Sequence, residues 1–285
     1  MTGIVILNYN NIDNTIDCLY SIFRHFPEGS FRICLVDNAS APEVQEAVHS
    51  HIETLPPVIH YVCSHENVGY ARGNNLGLEY FDDQHGVDSI LIVNNDVIFT
   101  EDVLTPMTAY MDSHPQVGVV SPLLRTKSGG IDYACARREK NMLDLLVKAT
   151  SLGRLGVHIE DSLIRENPSL LDRDEVQTEL PSGSCMLLRK KIFSSVGYFD
   201  PRTFLYFEED ILRKKLKAKG FQSVLLPRIS AIHLGAQSTA KSAGKFIYGC
   251  YRDSMLHYME HYTDIPAFVR KYISWRTALA LKFKR

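Results

Sequence analysis

Ser89-Ile90-Leu91-Ile92-Val93-Asn94-Asn95-Asp96 is the stretch on which the fold turns. Ile90 to Val93 form a strongly apolar strand, and the run stops on two amides and a carboxylate, which therefore stand at the carboxyl edge of a sheet. Three earlier runs have the same character: Gly3 to Leu7, Phe31 to Val36 and Val58 to Val62. The stretches between them are long enough for crossover helices. In the first, Ile12, Ile16, Leu19, Tyr20 and Phe23 recur at three- and four-residue spacing and give one face to the sheet, until Pro27 and Gly29 end the helix. Strands alternating with such helices predict an α/β sheet of βαβ units. Asn8, Tyr9 and Asn10 follow the first strand, Asp37, Asn38 and Ser40 the second, and Asn94, Asn95 and Asp96 the fourth. Ligands of open α/β sheets bind outside the carboxyl ends of strands, so these polar clusters mark the expected site.

Downstream, the pattern predicts a helix from Glu101 to Asp112 with Thr100 as its N-cap and two acids in its first turn, then a short strand at Val117 to Val120. Residues 127–177 mix Gly, Arg, Asp and Ser with isolated apolar patches, as expected of an insertion with short helices and mobile loops. Order returns with a strand at Cys185 to Leu188, a helix ended by Gly197, and a helix near Glu209 to Lys219 stopped by Gly220. Two closing helices draw an apolar side from Phe246, Tyr248, Tyr251, Met255, Leu256, Phe268, Ile273, Trp275, Leu279, Leu281 and Phe283.

With 285 residues, 45% of them apolar, the chain can bury a full core without disulfides or a structural metal. Its six cysteines are scattered, with no CxxC pair, and read as reduced thiols of a cytosolic core. The start does not resemble a signal peptide and no run of 18 apolar residues occurs, so a soluble, cytoplasmic protein is expected. A net charge of -2 says little by itself. From Lys241 to Arg285, however, nine Lys and Arg stand against three Asp and Glu, which makes the C-terminal end the basic one.

No GxGxxG follows a strand and no GxxxxGK[ST] occurs, which argues against a dinucleotide oxidoreductase or a P-loop kinase. The glycine-containing run Asn67 to Gly77 opens a helix. Gly69 and Gly73 are then packing glycines and Arg72 a surface cation, or else Arg72 lies beside a ligand's anionic or planar group. Asp96 can hold one divalent cation on a diphosphate, whose other ligands come from phosphate and water, or Asn94-Asn95-Asp96 is an Asx turn. Asp37 accepts hydrogen bonds only, which suits the N3 proton of uracil or thymine or a ribose hydroxyl, and equally an N-cap for the helix after Pro42. Phe204-Leu205-Tyr206-Phe207-Glu208-Glu209-Asp210 puts three acids at a helix start. They are dipole partners, or one takes a proton from an acceptor hydroxyl beside an aromatic sugar wall. His233 alone, in an apolar segment, does not define a metal site.

In their order, Ile6 to Asn10, Leu35 to Ser40, Asn67 to Gly77, Leu91 to Asp96, Ser182 to Leu188, Gly197 to Asp200, Phe204 to Asp210 and His233 to Ser238 resemble the family 2 glycosyltransferases, especially the bacterial rhamnosyltransferase-like, polysaccharide-building branch. The resemblance implies a GT-A fold, a mixed α/β sheet flanked by helices. A Rossmann-like nucleotide-binding half (1–100) would be fused to an acceptor half (101–238, with the irregular insertion 127–177) and followed by a basic helical segment (239–285). It implies an inverting, metal-dependent transfer of a sugar from a dTDP- or UDP-linked donor, with a Mg²⁺ or Mn²⁺ cofactor. By resemblance Asn8, Asn10 and Asp37 surround the nucleoside, Arg72 lies near the base or diphosphate, and Asn75, Asn94 and Asn95 are further donor-side residues. Asp96 is the principal metal ligand, His233 a second one, and Glu209 the general base with Asp210 as its competitor. This chain has asparagines where the family often has acids before Asp96, glutamate at 209 where aspartate is frequent, and Ile211 where another acid often stands. The acceptor would be a glycan or lipid-linked glycan, with peripheral membrane contact through the C-terminal helices at the inner face and no nucleic-acid partner. A sugar nucleotidyltransferase would need a Gly-rich basic loop where Asn8-Tyr9-Asn10 stands. A silent sugar-binding module would not need Asp96, Glu209 and His233 together.

Overall fold

The computed structural model describes residues 1–150, 159–235 and 244–283. Strands β1 (Thr2–Asn8), β2 (Phe31–Asp37), β3 (Ile59–Cys63) and β4 (Ser89–Asn94) alternate with helices α1 (Ile12–His25), α2 (Pro42–Ile52) and α3 (Gly69–Asp82). Then come β5 (Val97–Phe99), α4 (Leu104–Ser113), β6 (Val117–Thr126), β7 (Ala136–Arg137), α5 (Met142–Ala149), α6 (Leu163–Glu166), β8 (Val176–Thr178) and β9 (Leu180–Pro181). The chain continues through β10 (Cys185–Arg189), α7 (Lys190–Ser195), α8 (Glu208–Ala218) and β11 (Gln222–His233), and helices α9 (Gly244–His261) and α10 (Ala267–Phe283) follow.

The main sheet runs β3-β2-β1-β4-β10-β6-β11-β5, with β8 also on β11, and β7 pairs with β9 apart from it. The first four strands are mutually parallel, and β10 enters antiparallel between β4 and β6. Along β1 the side chains alternate between two apolar layers: Ile4 and Ile6 pack with Cys18, Leu19 and Ile22 of α1, and Val5 packs with Leu78 and Phe81 of α3. Burial on both faces is why these strands read as continuous apolar runs. Met255, Tyr258 and Ile273 of the last two helices form a third cluster with Leu145 of α5, Ile211 of α8 and Phe207.

Several expectations change. The helix expected from Glu101 starts at Leu104, and Thr100 does not cap it: Asp102 accepts the Thr105 amide, while Glu101 accepts the Ser230 amide across the sheet edge. The strand expected at Val117 to Val120 continues to Thr126, held by its parallel neighbour β11, which was not foreseen at all. The expected apolar side of the last two helices is only partly inward. Met255 and Ile273 are buried, but Phe246, Phe268, Trp275, Leu279 and Phe283 face outward. Four cysteines are buried and free, whereas Cys63 is exposed.

Packing of α3 on β1 leaves no room at Gly77, where a Cβ would lie 2.5 Å from Val5 Cγ1 and 3.2 Å from Val36 Cγ2. Alanine gains about 1 kcal/mol in helix propensity over glycine, but overpacking against stiff valines costs about 1–3 kcal/mol, so the clash wins. Gly77→Ala is therefore expected to lower the urea unfolding midpoint. Gly249→Ala in α9, where a new Cβ meets nothing within 4 Å, is expected to raise it. Equal shifts in both variants would refute the packing argument.

Candidate active site

The order β2-β1-β4 places the strand-order reversal at β1, and the ends of these strands are in register: Asn8 pairs with Asp37, and Leu7 with Asn94. A buried polar lattice ties the ends together. The Asn8 amide donates to Asp37 Oδ2 (2.7 Å) and Ser40 Oγ (3.2 Å), and its oxygen accepts from Thr15 Oγ1 (3.0 Å) and Asn95 Nδ2 (3.3 Å). Asp37 Oδ1 accepts the Ser40 amide and the Gln45 side chain, while Asn10, at φ 51°, accepts the Ala41 amide. Asp37 thus closes a turn before α2, whose N-cap is Ala41.

Above this lattice opens a cavity of about 740 Å³, a size that suits a drug-sized or nucleotide ligand. Asn94, Asn95, Asp96, Glu209, Asp210 and His233, all named from sequence, line it together. Asn8, Asn10, Asp37, Arg72 and Asn75 do not line it. Arg72 Nε donates to the Pro201 carbonyl, and Asn75 exchanges hydrogen bonds with the Phe199 backbone, so both tie α3 to the 199–201 turn. On the β1 and β2 side the lining is Tyr9, Asn38, Asn67 and Gly69 instead.

Asp96, on the turn between β4 and β5, faces His233 at the end of β11. Asp96 Oδ1 is 3.5 Å from His233 Nε2, and His233 Nδ1 meets Asp132 Oδ2 at 2.8 Å. Burial opposes charge on this ring, but the hydrogen bond to Asp132 and the nearby charge of Asp96 outweigh it and hold its pKa up at about 9. Asp96 Oδ1 is buried and makes no hydrogen bond. No three His, Cys, Asp or Glu side chains among the described residues converge as a ready metal cage. One buried, unsatisfied carboxylate oxygen facing an imidazole nitrogen, with the ring oriented by Asp132, fits a cation that takes the place of the Nε2 proton and draws its other ligands from phosphate and water. Asp132 was not singled out from sequence. It lies in the irregular insertion, 101 residues from His233. Ala236 to Ser238, part of the His233 motif, fall outside the described residues.

The same cavity is lined by the three acids of the first turn of α8, and the adjacent Gly183 and Ser184 contact Glu209 and His233 respectively. Tyr206 and Phe207 before the acids both take left-handed backbone (φ 72° and 65°), a conformation costing on the order of 1–3 kcal/mol per residue that clusters at functional sites. The loop is docked where Phe204 O accepts the Tyr70 amide (2.7 Å). Only glycine fits at 69, since its φ is +81° and a Cβ would lie 2.3 Å from Phe204 O. Two acids have cationic partners from the insertion: Arg137 pairs with Glu209, and Lys140 donates to both oxygens of Asp210 at 2.6 and 2.8 Å. Glu209 also accepts the Gly183 amide, and Tyr70 Oη donates to the Gly183 carbonyl (2.7 Å).

The third acid, Glu208, has no such partner: it is buried, and its Oε2 makes no hydrogen bond. Burial, and then the neighbouring charge of Glu209, push its pKa up to about 8. Sequence reasoning did not single it out from the triplet, because what distinguishes it is the positions of Arg137 and Lys140.

With parallel strands around a reversal at β1, an antiparallel strand beside β4 and a cavity at the carboxyl edge, the fold is of the GT-A type. The structure aligns with GalNAc-T7 solved with UDP, GalNAc and Mn²⁺ (TM-score 0.71, 12% identity, 96% of this chain and 49% of that one). It also aligns with the mannosyltransferase PcManGT of Pyrobaculum calidifontis solved with GDP-Man and Mn²⁺ (TM-score 0.60, 15% identity, 99% and 74%). Residues 3–197 match the glycosyl transferase family 2, and the chain belongs to that family. It is 27% identical over 210 residues to the low-salt glycan biosynthesis hexosyltransferase Agl10 of Haloferax volcanii, aligning 73% of this chain but spanning only 58% of that protein. It is 23% identical over 267 residues to the N-acetylglucosaminyl-diphospho-decaprenol L-rhamnosyltransferase of Mycobacterium tuberculosis (88% of this chain, 81% of that one).

The buried acid carries a pH signature. The folded chain keeps the Glu208 proton up to about pH 8, whereas the unfolded chain loses it near pH 4.3, about the ordinary value for glutamate. Between those values the folded form binds more protons, so the wild type loses stability as pH rises. Glu208→Gln removes this loss. Its unfolding free energy is expected to pull ahead of the wild type by on the order of 2–4 kcal/mol between pH 5 and about 8, with the gap level above that. Superimposable pH profiles in urea unfolding would contradict the assignment.

Proposed function

We propose that the protein is an inverting glycosyltransferase that moves a sugar from a nucleotide diphosphate sugar, dTDP- or UDP-linked, to a hydroxyl of a glycan or lipid-linked glycan in surface polysaccharide synthesis. The observation that carries the reading is the convergence, in one cavity, of an unsatisfied Asp96 oxygen facing His233 and an acidic helix start, bridged by the adjacent residues Gly183 and Ser184. Family membership supports the same reaction class. The names of the curated relatives support a sugar-chain acceptor and, for the mycobacterial protein, a lipid-linked one.

In this reading the nucleoside lies over the ends of β1 and β2 against Tyr9, Asn38 and Asn67. Asn8, Asn10 and Asp37 act from beneath, fixing the loops that present those groups, and Arg72 and Asn75 hold the 199–201 turn. Asn94, Asn95 and Asp96 face the diphosphate. When bound there by Asp96 and His233, Mg²⁺ or Mn²⁺ supplies Lewis-acid stabilisation of the negative charge that gathers on the leaving group. Glu209, held between Arg137 and the Gly183 amide, takes the acceptor's proton as the hydroxyl attacks the anomeric carbon from the face opposite the leaving group, which inverts that centre. Glu208, protonated at neutral pH, serves as a hydrogen-bond donor rather than a base, and Asp210, locked by Lys140, sets the position of the helix start.

Isothermal titration with UDP, dTDP and GDP, each with and without Mn²⁺, tests the donor site. Binding that requires both the metal and Asp96, and is lost in Asp96→Ala, is the expected result; no binding by any nucleotide would return the chain to a sugar-binding module. Separately, Glu209→Gln is expected to keep donor binding and lose turnover by about 100-fold or more, while Glu208→Gln, which preserves a donor, stays within about tenfold of wild type. A fully active Glu209→Gln would remove Glu209 from the base role.

A further inference from the structure

The outward residues of α10 form a pattern that its packing does not explain. Phe268, Tyr272, Trp275, Leu279 and Phe283 follow one another at spacings of four, three, four and four, which at 3.6 residues per turn puts them within roughly a quarter of the helix circumference. All five are exposed: Phe268 by 74%, Trp275 by 61% and Phe283 by 81%. The buried residues Val269, Ile273 and Thr277 occupy a separate face, centred roughly a third of a turn away, and Val269 and Ile273 pack there in the third apolar cluster. The helix therefore has two apolar faces, one used and one bare.

Charge decides what the bare face fits. The segment Ala267–Phe283 carries Arg270, Lys271, Arg276 and Lys282 and not one acid. By helical spacing Lys271 and Lys282 border the stripe on one edge and Arg276 on the other. A second copy of the same helix would set these cations against each other, whereas an anionic lipid surface is attracted by them while aromatic rings enter the headgroup region. Among the described residues no helix is long and apolar enough to cross a membrane, so this helix would lie on the surface rather than span it. The helix also packs beside the cavity walls. It contacts α5, whose Lys148 lines the cavity, and α9, whose Phe246, Ile247 and Tyr251 do. Phe246 is at once a lining residue and exposed, which extends the cavity's apolar wall to the protein surface.

We infer that the stripe Phe268–Tyr272–Trp275–Leu279–Phe283 is a docking face for an anionic lipid surface, holding the cavity beside the bilayer. The inference deepens the lipid-linked acceptor reading and rests on it for its purpose, but its test does not.

Trp275 is the chain's one tryptophan, so its emission reports directly on the stripe. Full-length protein is mixed with phosphatidylglycerol–phosphatidylcholine vesicles and with phosphatidylcholine vesicles alone. A blue shift and co-sedimentation with the anionic vesicles, weakened about tenfold with the neutral ones, are expected. Lys271→Glu/Lys282→Glu is expected to lose most of this binding with the tryptophan intact, and Phe268→Ser/Phe283→Ser to lose it by roughly tenfold or more. Both variants alter exposed side chains, and unchanged urea unfolding checks that they fold. Nucleotide titration of the same proteins keeps the two readings apart, since the variants should bind donor as the wild type does. No spectral shift with anionic vesicles, binding indifferent to both double variants, or a dimer in sedimentation that takes the place of vesicle binding would each overturn the inference.

Discussion

The amide of Asn8 is the point on which the site depends. It sits fully buried where three strands end, and each of its polar atoms has a partner on another segment: Asp37 and Ser40 after β2, Thr15 on α1, Asn95 after β4. A buried polar group without partners costs more than a satisfied one contributes, so strand ends joined this way keep one register or lose several hydrogen bonds together. Asn95 is thereby fixed next to Asp96, whose Oδ1 is buried and makes no hydrogen bond. The rigid lattice holds that unsatisfied atom in place beside His233.

The acidic start of α8 is organised mainly by charge. Arg137 and Lys140 arrive on an irregular segment and neutralise two of three adjacent acids, and the Lys140–Asp210 pair is almost wholly enclosed. A buried ion pair contributes little net stability, but breaking it is costly, and so it fixes the geometry of the helix start. With the strained Tyr206–Phe207 backbone it sets three neighbouring carboxyl groups to different tasks: one neutral, one held toward the cavity, one structural.

Sequence made the first half of the sheet legible because β1, β2 and β4 are apolar on both faces and break off at polar residues, a contrast that survives without knowledge of the partners; only β3, an edge strand with no buried residue, lacks it. It could not show β11. Pro227 interrupts that strand, and its register with β6 shifts between Leu226 and Ser230, so no period of two persists and the strand exists through its neighbours. β5, with three residues, is too short for any pattern. The acids before α4 mimicked a first helical turn, although one of them serves β11. Asp96, His233 and the acidic triplet were found because they recur in a family's order. Asp132, Arg137 and Lys140 were not, because a lone charged residue has no local signature and its meaning depends on what lies across the fold.

The site is assembled from distant parts of the chain: 113 residues separate Tyr70 from Gly183, and 101 separate Asp132 from His233. In chain order β1 to β4 precede β11, so Asp96 waits for His233, and the acidic turn waits for α9 and α10 to complete its apolar support. Contacts of such separation form late. A nascent chain that has made β4 but not β11 carries a nearly finished floor with no opposing wall, and the cavity takes shape only when the two meet.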